Sequence, residues 1–492
     1  MSTRTGVNRR VSDAGGLSAP TRSILFGPLG STDVSSAVVG WLRAAIGLGL
    51  FPDGERLPKE AHLAVQLGVT TFALREALAT LRAQGLVVTR AGKYGGSFVT
   101  YPAESEQLEH DELANLSSAE LRDLGDWRQM LATTAAALAA LRASASNVAM
   151  LATYAERVSE AKTSLEARRA HGRFFLELSS AAQSMRLTRA QFVVHEQIDW
   201  LFGLALQSPE ERAAAAAGLE AVAAAVRARS STRARDAAAV HVERMIGRLG
   251  LLHLESIAAR QRQHPALVTG TLEHAITAAV DLLGDEMARF AADVAPAMSS
   301  GEAFERIRNR ISLPGLQRFQ TLPTYVKGIG ILAEVGAIAE RPYWIEWWRR
   351  TDDGPVADNH HVLDPAREYF YDYGDMEFIA RPRETHQPWA FGPYVDYGGE
   401  DDYILTLASP ILADGAFYGI TAVDIPVGEL ESWLSPLLAS AKESYLLNSQ
   451  DRVVVSNSLT FGVGDVMPNR DGFRVVGYPT FGWILVTKDA PV

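Results

Sequence analysis

Between Ile46 and Thr100 the chain alternates apolar and polar residues in a way that few folds can satisfy. The period predicts one helix over Pro58–Leu67 ended at Gly68 and a second from Thr70 to Gln84 stopped by Gly85. Two short β-branched runs follow, hinged at Ala91-Gly92 and Gly95-Gly96. Leu63, Leu67, Val69, Leu74, Ala77, Leu78 and Leu81 supply the faces that would pack the two helices together. Helix, tight turn, helix and hairpin make a winged helix-turn-helix, whose second helix is shaped to enter a major groove. Thr70 is a natural N-cap, and the capped helix start can receive a phosphate. Arg75 and Arg82 fall on the polar face of that helix, and Lys93 falls in the wing.

Charge separates this segment from the rest. The first hundred residues hold eleven Lys and Arg against six Asp and Glu, while the whole chain carries a net charge of −11. A basic module joined to an acidic remainder is the balance expected of a DNA-binding domain attached to something that does not bind DNA.

The segment resembles the DNA-binding domain of the GntR superfamily of bacterial regulators. The matching residues are Pro52-Asp53-Gly54-Glu55-Arg56-Leu57-Pro58 with Glu60, Leu67-Gly68-Val69-Thr70, Leu74-Arg75-Glu76-Ala77-Leu78, and Gly95-Gly96 with Phe98-Val99. The resemblance implies DNA contacts from Arg56, Thr70, Thr71, Arg75, Lys93 and Gly96. Thr71 stands where the family usually has Arg, and Phe72-Ala73 follow where polar residues are common. That departure implies altered base preference or a weaker phosphate grip, with Phe72 placed to meet a thymine methyl.

At 492 residues the chain is long enough for three domains. It has no cysteine, which excludes disulfides, thiolate zinc sites and a Cys nucleophile. Residues 1–30 read as a disordered arm with no signal-peptide core, and no apolar run is long enough to span a bilayer, so a cytoplasmic protein without membrane contact is expected. The winged helix is assigned to 31–102.

Residues 105–262 are rich in Ala, Leu, Glu and Arg and poor in Gly and Pro, and predict a bundle of roughly six or seven helices. The run from His171 to Phe202 reads as one long periodic stretch. The region resembles the FCD-type effector domain, in Leu121–Ala139 and Ala237–Leu249 above all. That family usually holds a divalent metal on one Asp and three His. Those positions fall here on His171, Phe175, the neighbourhood of Leu219, and His241. Phe and Leu ligate nothing, so no metal is expected, and the bundle is read as a dimerising and coupling domain.

From 268 to 492 the character changes. A long amphipathic helix over Thr271–Phe290 and a short one over Gly301–Ile311 lead into Trp-, Tyr- and Gly-rich strand-like runs, predicting a PAS-like antiparallel sheet. The expected fold class is therefore α+β multidomain: winged helix-turn-helix, all-α bundle and sensor sheet. The third region resembles the Cache sensor domains in Asp364–Phe370, Gly392-Pro393-Tyr394-Val395-Asp396, Thr406, Gly419–Ile425 and Asp451–Asn457. The resemblance implies that Asp424, Tyr394 and Asp396 hold a ligand amino group, and that Arg367 with Tyr369 takes the carboxylate position. Glu346 and Trp347 join them from the residues alone, because a buried ammonium needs carboxylates and aromatic faces. His361 reads as a solvated loop residue and Gly328-x-Gly330 as sheet punctuation.

No GxSxG, HExxH, phosphate loop or dinucleotide motif occurs, so no enzyme and no cofactor is expected. These readings converge on a one-component transcriptional regulator. It would bind a duplex operator as a homodimer, more in keeping with repression than activation, under the control of a small amine or amino-acid-like effector. The alternative, motivated by Thr71-Phe72-Ala73, is a metabolite sensor that signals through a protein partner and keeps a vestigial DNA module.

Overall fold

The computed structural model describes residues 34–92, 95–100, 105–263, 271–351, 354–358, 361–367, 370–396 and 403–488. The arm at 1–30, Lys93 and Tyr369 lie outside the described residues. The chain divides into two compact units: one of residues up to Asn115 with Glu120–His253, the other of Leu116–Ala119 with Leu254 onward.

The first unit opens with α1 (Val34–Gly47), α2 (Glu60–Leu67) and α3 (Thr71–Ala83), followed by the antiparallel pair β1 (Val87–Arg90) and β2 (Gly96–Val99). Gly68 ends α2 at φ 69°, a left-handed conformation that costs other residues, and its N–H closes back on the helix. Leu63, Leu67, Leu74, Ala77, Leu78 and Leu81 are buried together, as their spacing requires. The winged helix is thus as expected, with α1 added ahead of the segment that was legible.

Among the described residues seven α-helices follow: α4 (Ser105–Asn115), α5 (Ser118–Arg142), α6 (Ala145–Glu160), α7 (Ser164–Ala181), α8 (Met185–Val194), α9 (Pro209–Arg227) and α10 (Ser231–Gln263). Their starts are written in the sequence. Ser144 with Asn147, and Ser208 with Glu211, close reciprocal capping boxes, each cap contributing about 1 kcal/mol. The single stretch read over His171–Phe202 is broken. Gln183 takes a positive φ, Ser184 caps α8, and the chain then passes through a π turn at His195–Asp199 and a 3-10 turn at Leu201–Leu206. Apolar periodicity runs through the break because residues on both sides of it are buried, among them Phe175, Leu178, Phe192 and Ile198.

Beyond the end of α10, the second unit contains α11 (Leu272–Met298) and α12 (Phe304–Thr321), both longer than the pattern predicts. Among the described residues two antiparallel sheets follow, not one. The larger has the order β5 (Gly354–Asp358), β4 (Ile345–Thr351), β3 (Gly328–Ala333), β8 (Ala416–Pro426), β7 (Tyr403–Ala413), β6 (Trp389–Val395). The smaller runs β10 (Val453–Ser456), β9 (Ser444–Leu447), β12 (Trp483–Lys488), β11 (Phe473–Tyr478). Helices α13 (Glu377–Thr385) and α14 (Val427–Ser440) complete it. Strand alternation gives the large sheet two faces. One packs Ile329, Ile331, Leu405, Val423 and Ile425 with α11, α12 and α14 into the main core. The other gathers Leu332, Ile345, Phe378, Ile420 and Ala422 into a smaller cluster under α13.

Candidate functional sites

The second face of the large sheet holds a cleft of about 650 Å³, open mouth included. Its floor follows from register. Gly328 and Thr406 both pair with Asp424, so the three form one row across β3, β8 and β7. Thr406 Oγ1 donates to Asp424 Oδ1 at 2.7 Å. That spends the hydroxyl proton, so the Tyr394 hydroxyl, 3.0 Å from Thr406 Oγ1, is the donor there. Trp347, Tyr371, His361 and Tyr394 wall the cleft, Phe378 closes one side, and Asp396 and Lys327 reach it from strand ends. The rings of His361 and Tyr371 lie 4.7 Å apart, tilted by 37°. Burial pushes the Tyr371 phenol well above its usual range, and Asp396 and Asp424 push it further; burial and Asp424 do the same to Tyr394. Both phenols therefore stay neutral, with Asp396 and Asp424 beside them.

Gly328 and Gly330 explain the Trp347 wall. A Cβ on Gly328 would lie 2.8 Å from the indole, and one on Gly330 would overlap it. The pair read as punctuation is the seat of the ring.

Of the residues expected at the ligand, Trp347, Tyr394, Asp396 and Asp424 meet in this cleft. Glu346 does not. It is one residue from Trp347 on a strand, so it points to the opposite face, where Arg308 and Ser312 of α12 donate to it at 3.0 and 2.8 Å. Arg367 does not either: it lies in an exposed turn, 4.0 Å from Asp364. Lys327 and His361 were missed as site residues. Among the described residues Lys327 brings a cation to the cleft, and its Nζ is 2.8 Å from Glu429.

In the winged helix, Thr70 Oγ1 accepts from the Ala73 N–H at 3.1 Å and leaves the start of α3 open to solvent. Thr71, Phe72 and Arg75 are exposed on one surface, Phe72 at 70%. Arg75 Nε donates to Glu60 Oε2 on α2 at 2.7 Å. In the wing, the Arg56 guanidinium lies against Gly96, where a Cβ would come within 2.6 Å of it. Arg90 stacks on Phe98 at 4.5 Å.

Inside the helical bundle sits a buried polar cluster. His171 and His241 bring their Nε2 atoms to 2.9 Å. Asp199 lies 3.2 Å from Arg128 Nε and 3.0 Å from His195 Nδ1. Phe175 and Leu219 are buried and offer no donor, and among the described residues no group of three or more His, Cys, Asp or Glu is arranged to hold a metal. Of the four expected ligand positions, only His171 and His241 carry a donor.

Burial depresses His171 and His195, and takes His241 down to about 3. Burial alone would raise the Asp199 carboxyl, but Arg128 and then His195 outweigh it and hold it at about 2. Each imidazole binds its proton less readily when folded than when unfolded, where it protonates near 6.5, so the unfolded chain takes up protons first as the pH falls. Stability of this unit is therefore expected to be full above about pH 6.5 and to decline below it, by up to about 1.4 kcal/mol per pH unit for each histidine. Thermal unfolding from about pH 8 to about pH 5 checks this; a transition temperature that holds or rises on acidification would contradict it.

A winged helix joined to a helical bundle is the architecture of a bacterial DNA-binding regulator. The comparisons agree: residues 34–99 match bacterial regulatory proteins of the gntR family, and residues 123–244 match the FCD domain. The chain is 30% identical over 188 residues to the uncharacterized HTH-type transcriptional regulator Rv0494 of Mycobacterium tuberculosis, covering 37% of this chain and 74% of that protein. The chain belongs to the gntR family of transcriptional regulators. It is also 37% identical over 179 residues to a protein named as HTH-type transcriptional regulator RmpR of Mycobacterium gastri, covering 36% of this chain but only 65% of RmpR. Among solved structures, a methyl-accepting chemotaxis protein is similar at 12% identity and a TM-score of 0.35, over 49% of this chain and 98% of that one. No described helix is long and apolar enough to cross a membrane.

Proposed function

We propose that this regulator binds a duplex operator as a homodimer through α3 and the wing, and that a small amine in the C-terminal cleft controls that binding. The observation carrying the reading is the meeting of Asp424 and Asp396 with Trp347, Tyr371 and Tyr394 in one cleft. An ammonium group leaving water needs negative charge and aromatic faces, and this lining offers both. The second unit is read as a Cache-like sensor. An amine suits it better than an amino acid: Arg367 is remote, and Lys327 is already neutralised by Glu429. DNA contacts are assigned to Arg56, Thr70, Thr71, Arg75 and Gly96, with Lys93 added from the sequence.

Ligand acts by differential affinity for two dimer arrangements, and release from the operator on binding is the expected direction. The test is a salt-controlled anisotropy titration of the regulator on the DNA upstream of its own gene, with and without a panel of primary amines. An amine-dependent change in operator affinity supports the reading; tight operator binding untouched by every amine overturns the sensing half. Gly328→Ala is expected to displace Trp347 and weaken amine binding about tenfold, with little loss of stability, and calorimetry of the variant checks it. The alternative, signalling through a protein partner, draws on the exposure of Phe72 where a polar residue would serve DNA better. Absence of any salt-dependent DNA binding would favour it.

A further inference from the structure

Arg128 sits in α5 with no accessible surface, although arginine in a helix usually carries its charge to solvent. Its guanidinium carbon lies over the Phe175 ring, 3.9 Å from the ring centre, and 5.9 Å from that of Phe202. Its Nε faces Asp199, which is equally buried. A buried carboxylate without a cation is costly, so something positive has to stand beside Asp199. In a bundle of this family a divalent metal is the expected cation. Here one face that would have to supply a donor is Phe175, and the charge is already on Arg128.

We infer that the Arg128 guanidinium is the built-in cation of this bundle, standing in place of a bound metal ion and holding Asp199 in the core. The arrangement has a mechanical consequence. Asp199 and His195 are the two ends of the π turn, and their bond at 3.0 Å fixes it. Between them Glu196 lies against Gly40 of α1, where a Cβ would collide with its carboxylate. Arg173 of α7 reinforces the same junction, donating to the carbonyls of Leu48 and Gly49 at 2.8 Å each. Arg128 is thus a positioning residue for the turn that abuts the DNA-binding module. This inference does not depend on the amine reading of the C-terminal cleft.

The test uses the full-length protein. Elemental analysis of the purified wild type is expected to find no stoichiometric divalent metal, and neither EDTA nor added Zn²⁺ or Ni²⁺ should shift its thermal transition. Arg128→Met and Asp199→Asn are each expected to lower that transition by roughly 10 °C, and the double variant by clearly less than the sum, because the two charges depend on each other. Arg128→Lys, which keeps the charge, should recover part of the loss. Near-stoichiometric metal, destabilisation by EDTA, or strict additivity in the double variant would each overturn the inference. The metal analysis stands even if Arg128→Met fails to fold.

Discussion

Asp424→Asn is expected to abolish amine binding while leaving the fold intact. The reasoning starts at the strand row. Thr406 donates to Asp424 Oδ1, and an asparagine Oδ1 can still accept that bond, so the Tyr394–Thr406 chain survives. What disappears is one unit of negative charge at the floor of a cleft walled by Trp347, Tyr371 and Tyr394. Removing one partner of a desolvated charge pair typically costs about 2–5 kcal/mol, which is roughly a 30- to several-thousand-fold loss of affinity. The measurement is paired. Wild type and variant are screened by thermal shift against primary mono- and diamines, where a ligand at about 100 times its Kd adds about 2.7 kcal/mol to the native state, and hits are titrated by calorimetry. A variant that unfolds at the wild-type temperature without ligand and no longer responds to the amine is the expected result. Equal affinity in both proteins would remove the ammonium from Asp424. A wild type that responds to carboxylates and not to amines would move the effector to Lys327.

The winged helix and the cleft were legible for different reasons. In the winged helix, packing, turn and cap depend on local spacing, so Leu63 to Leu81, Gly68 and Thr70 could be assigned from the sequence, and the folded chain agrees. In the cleft, Asp424 stood out because a charge in the run Ile420–Pro426 needs a reason. Glu346 was misjudged because composition does not reveal which face a strand residue takes: Trp347 and Glu346 are adjacent, so only one can face the cleft. Gly328 and Gly330 carry no side chain, and their role is visible only once the indole of Trp347 lies across them. Arg128 was silent for the opposite reason. In the segment Asp126-Trp127-Arg128-Gln129 it looks like any solvent-facing helix position, and its burial is set by Asp199, far along the chain. Burial of charge is a tertiary fact, and helical period alone does not report it.

Arg75→Ala is expected to remove specific operator binding and spare the fold. Arg75 is 69% exposed and its ion pair with Glu60 is a surface pair, worth about 0–1 kcal/mol to stability, so the variant should melt close to wild type. On DNA the same side chain is the long cation of α3 nearest the exposed Thr71 and Phe72, able to leave Glu60 for a guanine edge. A bidentate arginine–base contact carries about 1–3 kcal/mol of discrimination, and the proposed homodimer would use it twice, so the loss should be roughly 30-fold to about 20,000-fold on the operator. Because base contacts specify and phosphate contacts position, binding to unrelated DNA should fall far less. Titrations at several salt concentrations separate the cases. A large loss on operator with the salt slope little changed is the expected result. Equal losses on operator and unrelated DNA, with the slope reduced by about one per arginine, would make Arg75 a phosphate contact. No loss on either would mean that α3 does not read DNA through Arg75, and the exposed Phe72 would then be explained by a protein partner.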